Sequence, residues 1–452
     1  MKSPSEGRTR RALVAAAVGM STLALVASTA TASASSSAPA RLSHASGATA
    51  HGTDQSTFSV LLTTEDTQTP AELQKLATTS CKTEAQAQPI SLQQTPSQNI
   101  ESKIQLLASQ NSLPLMYAAS NPDIIPGGSL VKKGDVLNIE TALSQLGVAN
   151  DMTPLALSTT KAQFQGGVPS VPFQMNIEGL FYNKRIFANH HLTQPKTFAQ
   201  LLADAAVLKK AHVIPFSASG ASGWTISRWV GILLFRELGP NAMNLIAHKK
   251  AKLTSAAYMT AAEQVAQMGK DGYFSPGITN LSYNAAVAQF LDGKSAMMYM
   301  GTWLLAEILS SQNKVGRNNI GFMPFPAVTG GKGSIDQYPA NTGSPNVLNP
   351  HVYGPHAQAW LKCIAENYGS ASLQDQGVFT GFRTNQPVTG LAPITQTIQK
   401  TINSAKQSVL WFEALFGLKA NDDASGNAAA LVTGAMSPQQ YMGILQADQS
   451  QP

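Results

Sequence analysis

Three tryptophans stand where a flat ring can meet a ligand. Trp224 follows Ser219-Gly220-Ala221-Ser222-Gly223, a run with too many small residues for a core, and Trp303 follows Gly301-Thr302 where an apolar stretch ends. Trp411 lies in Ser408-Val409-Leu410-Trp411-Phe412. An aromatic face stacks on the C–H face of a sugar ring, while short polar side chains satisfy its rim of hydroxyls. Packing in a core or between lobes is the competing role for each ring, and it is the expected one for Trp229 inside an apolar helix.

Acids offer a second chemistry. Glu65, Asp66, Glu178, Asp336 and Glu413 include pairs that a glycoside hydrolase would need. With 25 acids in 452 residues, however, most are expected to be solvated or paired with lysines. The chain has no Gly-x-Ser-x-Gly elbow, no Gly-x-x-x-x-Gly-Lys-Ser/Thr phosphate loop and no His-Glu-x-x-His helix. Adjacent His190 and His191 point away from each other on most backbones and have no cysteine or carboxylate cluster nearby in sequence, so surface histidines are expected. No catalytic residue, metal or cofactor is expected.

Composition narrows the partner. Charged residues make up 12% of the chain, and Gln, Ser, Thr, Ala and Asn fill surface positions where Lys and Glu are commoner, which favours neutral ligands. The formal charge of +6 falls to about +3 once the basic N-terminal run is set aside, and no basic stretch with interleaved aromatics follows, so nucleic acid is not an expected partner. Basic residues up to Arg10-Arg11, an apolar run from Ala12 to Ala27 and Ala32-Ser33-Ala34 have the order of a signal peptide over residues 1–34; Thr9-Arg10-Arg11 also permits twin-arginine export. No cysteine follows the apolar run. The product is therefore expected in the periplasm or outside the cell, soluble after cleavage and without a lipoprotein anchor. Cys81 and Cys363, the two cysteines, are either a disulfide or two buried thiols.

The elements that must position these residues alternate. Residues 35–56 are rich in Ser, Ala, Thr and Gly without apolar periodicity and are read as a tether. Phe58 to Leu62 is a first strand, Pro70 to Ala85 helical, Ile90 to Leu92 a strand, and Ile100, Ile104, Leu107 and Ala108 mark one helix face. Further on, Gly179 to Tyr182 is a strand and Thr197 caps a helix. Helices are then predicted at Trp224 to Leu238, Thr254 to Met268 and Asn284 to Leu291, with a buried strand from Ser295 to Met300. Joints rich in Gly, Pro and Asn fall at Gly166 to Pro172, Phe325 to Gly333 and Tyr338 to Pro350. At 47.6 kDa, two α/β lobes are expected.

Several stretches, in order, resemble the extracellular solute-binding proteins of sugar ABC importers, the maltose-binding-protein-like family. Val171-Pro172-Phe173-Gln174, Gly179-Leu180-Phe181-Tyr182-Asn183-Lys184 and Gln194-Pro195-Lys196-Thr197-Phe198 are similar to that family's crossing strand, Tyr-Asn-Lys signature and Pro-x-Thr-Trp helix start, with Phe198 in place of the tryptophan. Phe290-Leu291-Asp292-Gly293-Lys294-Ser295-Ala296-Met297 leading to Gly301-Thr302-Trp303 is similar to its Gly-Lys-Ala-Ala-Met strand and Gly-x-Trp turn. The tail from Ala428 to Gln440 resembles its closing helix pair.

The resemblance implies an α/β, two-lobed periplasmic-binding-protein-like fold of type II, with the ligand in an interlobe cleft and hinge crossovers joining the lobes. Lobe I is expected to take residues 57–168 and 341–388, and lobe II residues 169–340 and 389–450. Cys81 and Cys363 then share lobe I, which favours their bond. Trp303 and Trp411 are implied ligand platforms, with Trp224 a looser match, while Asn176, Glu65 and Asp66 are implied hydroxyl partners. The implied function is capture of a neutral sugar or oligosaccharide by a monomer that delivers it to a membrane permease. The alternatives are a secreted glycoside hydrolase and a same-fold binder of a non-sugar solute.

Overall fold

Strand and helix alternate along the chain much as the periodicity requires. The computed structural model describes residues 52–64, 66–404 and 408–449. The expected signal peptide, most of the tether and Glu65 lie outside the described residues.

Two sheets organise what is described. The first contains β1 (Phe58–Thr63), β2 (Ile90–Thr95) and β3 (Met116–Ala118), with β1 parallel to both others, and is closed on one side by a later antiparallel strand. In β1, Val60, Leu61 and Leu62 are all buried, as in a strand covered on both faces. The second sheet centres on β4 (Asn176–Asn183), flanked on one side by β5 (Ile214–Phe216) and β6 (Ser295–Gly301). Its other edge pairs with β7 (Ile320–Met323) along one half and β8 (Tyr338–Asn341) along the other. β9 (Asn346–Leu348) is the antiparallel strand of the first sheet, and β10 (Ser408–Leu410) extends the second beside β8.

The joint expected from Tyr338 to Pro350 is therefore largely strand. Pro339, Gly343 and Pro345 read as loop residues, yet β8 and β9 flank a short crossing that returns the chain from the second sheet to the first. Tertiary pairing outweighs local turn chemistry here, because β4 and β3 supply partners that lie far away in sequence. Other departures are smaller. The helix expected from Pro70 to Ala85 spans Gln68–Thr78, and a short second helix, Lys82–Ala87, follows Cys81. Thr197 forms a capping box with Gln200, which starts the helix Phe198–Lys210.

Cys81 and Cys363 are bonded, with Cα atoms 5.8 Å apart across a sequence separation of 282. The bond ties the start of Lys82–Ala87 to the long helix Pro355–Gln376. That helix has another remote anchor. Asp54, at the end of the expected tether, accepts hydrogen bonds from the backbone N–H groups of His356 (3.0 Å) and Ala357 (3.2 Å), which have no partner inside the first helical turn. The tether reading thus fails over its last residues. None of the helices among the described residues is long and apolar enough to cross a membrane.

Candidate functional site

A cavity of about 740 Å³ opens where the two sheets face each other, and every described candidate ligand residue lines it: Asp66, Asn176, Trp224, Trp303 and Trp411. Trp229 is fully buried instead, among Phe216, Phe274, Tyr299 and Phe325, as expected for a core ring.

The local backbone explains how the rings reach the cavity. Trp303 sits in a single turn of 3₁₀ helix after β6, and its ring folds back over Gly301. A Cβ at position 301 would lie 1.9 Å from Trp303 Cζ3, so the Gly-x-Trp spacing has a steric cause. Trp224 opens the helix Trp224–Leu238 after Gly223, whose φ of +65° and close approach to the Ser425 carbonyl leave no room for a side chain. The Trp224 ring lies 5.7 Å from Tyr283 and 5.9 Å from Trp303. Trp411 follows β10 directly.

One cation joins these platforms. Arg228 lies one helical turn beyond Trp224, and its Cζ is 5.5 Å from the centroids of both Trp224 and Trp411. Its Nε donates to Glu413 Oε2 at 2.7 Å, and its Nη1 donates to Glu178 Oε1. Ser227 Oγ donates to the other Glu413 oxygen, and Tyr299 donates to Glu178 Oε2 at 3.2 Å. Burial raises the Glu178 pKa, with Arg228 opposing the shift. Burial also works against the guanidinium's charge, but Glu178 and Glu413 outweigh it and lift the Arg228 pKa. Two of the glutamates considered as hydrolase acids, Glu178 and Glu413, are thus spoken for by one arginine, while Asp336 is exposed in a loop elsewhere.

Asn176 lines the cavity with most of its hydrogen-bonding groups engaged inside the protein. Its Nδ2 donates to Gln174 Oε1 at 2.9 Å and Asn341 Oδ1 at 3.3 Å, and its Oδ1 accepts from the Thr302 hydroxyl at 3.1 Å. Both amide hydrogens are consumed, leaving one acceptor lone pair. Its direct partners are protein groups, so it positions Gln174 and Asn341, which line the same cavity. Asn176 and Asn341 are register partners across β4 and β8, and Gln174 in turn donates to Gln68 at 3.0 Å.

Asp66 is the acidic group on the side of the first sheet. Burial raises its carboxyl pKa, while the Thr69 N–H, at 3.0 Å from Oδ1, pulls the other way. Asp66 and Gln68 follow β1, and Asn121 follows β3, so three polar residues stand beyond the carboxyl ends of parallel strands. Glu307 is a further lining acid; burial raises its pKa, and its Oε2 is buried without a partner.

Sequence reasoning did not single out Arg228, Gln174, Tyr283 or Glu307. For Arg228 a signal existed, since position i+4 from Trp224 shares its helix face. Gln174 lay within the crossing segment already quoted, two residues before Asn176.

Residues 65–369 match the family model for bacterial extracellular solute-binding proteins. The multiple sugar-binding protein of Streptococcus mutans is 26% identical over 175 residues, which is 37% of this chain and 40% of that protein, so the match spans about two fifths of its length. A chitin oligosaccharide binding protein superposes with a TM-score of 0.75 at 22% identity, covering 87% of this chain and 98% of that one. A protein from work on xylan utilization by Caldanaerobius polysaccharolyticus gives a TM-score of 0.75 at 21% identity, covering 86% and 99%. Likeness at these identities shows the fold, two α/β lobes with a cleft between them.

Proposed function

Because this chain belongs to the bacterial extracellular solute-binding proteins, we propose that it captures a neutral sugar or oligosaccharide in the cleft and delivers it to the membrane permease of an ABC importer. The observation that carries this reading is the meeting of Trp224, Trp303, Trp411 and Tyr283 at one cavity beside carboxamides and carboxylates. Such a set stacks on sugar C–H faces and accepts or donates to the hydroxyl rim. The cavity volume of about 740 Å³ accommodates more than one sugar ring.

In this reading Asp66 accepts ligand hydroxyls, Gln174 and Asn341 complete the polar wall, and Asn176 holds those two amides in place. Residues 57–168 and 341–388 form one lobe, with residues 169–340 and 389–450 the other. Closure of the lobes is driven by contacts that the ligand makes better in the closed state than in the open one. No covalent step is involved. The mature protein is an exported, soluble monomer released from a signal peptide over residues 1–34.

Titration calorimetry against neutral mono-, di- and oligosaccharides tests the reading. Binding by at least one sugar, weakened by two orders of magnitude in Trp303→Ala with the circular dichroism spectrum retained, is expected. Hydrolysis of any such sugar, or an affinity unaffected by the substitution, would overturn it.

A further inference from the structure

We infer that the cleft selects against acid sugars, uronates and sugar phosphates, and that Glu307 and Glu413 are the residues that set this selectivity. The inference rests on the sugar-capture reading and names the charge class that the same site accepts.

Arg228 is the cation that lines the cavity, and the described lining acids are Asp66, Glu307 and Glu413. An anionic ligand would need Arg228, but two of its donors already point at carboxylates: Nε at Glu413 and Nη1 at Glu178. Two carboxylates therefore already offset the single positive charge of Arg228, whose guanidinium also rests against Trp224 and Trp411. Glu307 adds a carboxylate that lines the same cavity as Tyr283 and Trp303, and its Oε2 is buried without a hydrogen-bond partner. An acceptor in that condition is satisfied by a ligand hydroxyl or amine and repelled by a second carboxylate. On the side of the first sheet, Asp66 has one oxygen engaged by the Thr69 N–H and repeats the demand for a donor. A polyol meets both acids. A uronate meets neither, and it enters a partly desolvated site of its own sign, where like charges a few ångströms apart reduce affinity by roughly a hundredfold.

The test uses matched sets differing in one group: glucose, glucosamine and glucuronate, the corresponding galactose set, and neutral oligosaccharides with their uronate-terminated forms. Each is titrated by calorimetry at pH 7 into the wild type, Glu307→Gln and Glu413→Gln. Wild-type affinity for the uronate is expected to fall at least tenfold below that for its neutral match. The uronate-to-neutral affinity ratio is expected to rise about tenfold in Glu307→Gln. It should rise again in Glu413→Gln, where Arg228 Nε is released from a charged partner. A wild type that binds uronate as tightly as the neutral sugar overturns the inference, as do ratios unchanged in both variants. Two variants guard against one that misfolds. If no sugar of any charge binds, the capture reading itself fails, an outcome distinct from equal binding of both classes.

Discussion

The two walls of the cavity are built on different principles. The wall carried by the six-stranded sheet is aromatic and charged, with Trp224 and Trp411 braced by Arg228 and its two glutamates and Trp303 packed against Trp224. The wall carried by the four-stranded sheet presents Asp66, Gln68 and Asn121, short polar groups beyond the ends of parallel strands. Large rings lose little conformational freedom on binding but must be aimed, so their wall is clamped. Amides and carboxylates adapt by small rotations, and their wall is held by single hydrogen bonds, Thr69 N–H to Asp66 and Gln174 to Gln68, in a region whose helices the Cys81–Cys363 bond ties together.

The contrast breaks most readily at Arg228. Replacing it with Met leaves Glu178 and Glu413 buried without their shared cation and is expected to destabilise the protein by about 3–5 kcal/mol in urea unfolding. A loss below about 1 kcal/mol would show that the triad does not brace the aromatic wall. Next in size is the disulfide. Cys81→Ser combined with Cys363→Ser is expected to cost about 2–4 kcal/mol, with hydrogen exchange accelerating in Gln68–Thr78 and Pro355–Gln376 before it does in Trp224–Leu238. Uniform acceleration would mean that the staple serves both walls equally.

Ligand affinity separates the walls further. Trp224→Ala should weaken sugar binding about a hundredfold and Asp66→Asn about tenfold, since the first removes a whole stacking face and the second keeps the shape and one acceptor. The reverse order, read by calorimetry, would place the dominant contacts on the polar wall.

The smallest effect concerns Glu307. Its pKa is raised in the folded protein by burial, so the native state binds a proton more readily than the unfolded chain, and its charge costs stability above the folded pKa. Glu307→Gln is expected to raise stability by about 0.5–1 kcal/mol at pH 7, a gain that disappears as the pH falls below about 4.3, where the carboxyl is protonated in both states. The titratable neighbour is Tyr283, which stays neutral because its hydroxyl is pushed up by burial and by Glu307. A gain that persists at low pH would trace to packing instead of charge.

Much of the fold was legible because its signals are local. Apolar runs marked β1 and β6, glycines framed Trp224 and Trp303, and the Thr197 capping box announced its helix. Legibility stopped where pairing is remote. Pro339 and Gly343 looked like loop chemistry, and only the presence of β4 and β3 made strands of the segments around them. Asn176 was recognised as a cleft residue, but Gln174 and Asn341 take both of its amide hydrogens and Thr302 one of its acceptor lone pairs. Asp54 read as the end of a tether and proved to be an anchor for a helix 302 residues further on.

By itself, then, the sequence determined which residues can stack, which can accept hydroxyls and where strands and helices begin, since side-chain chemistry, periodicity and capping act within a few residues. The tertiary structure decided how those groups are employed. Arg228 is held by Glu178 and Glu413, 50 and 185 residues away, and that contact turns a lone cation into a brace for Trp224 and Trp411. Burial and charge pairing depend on everything that surrounds a group, and those surroundings exist only once the chain has folded.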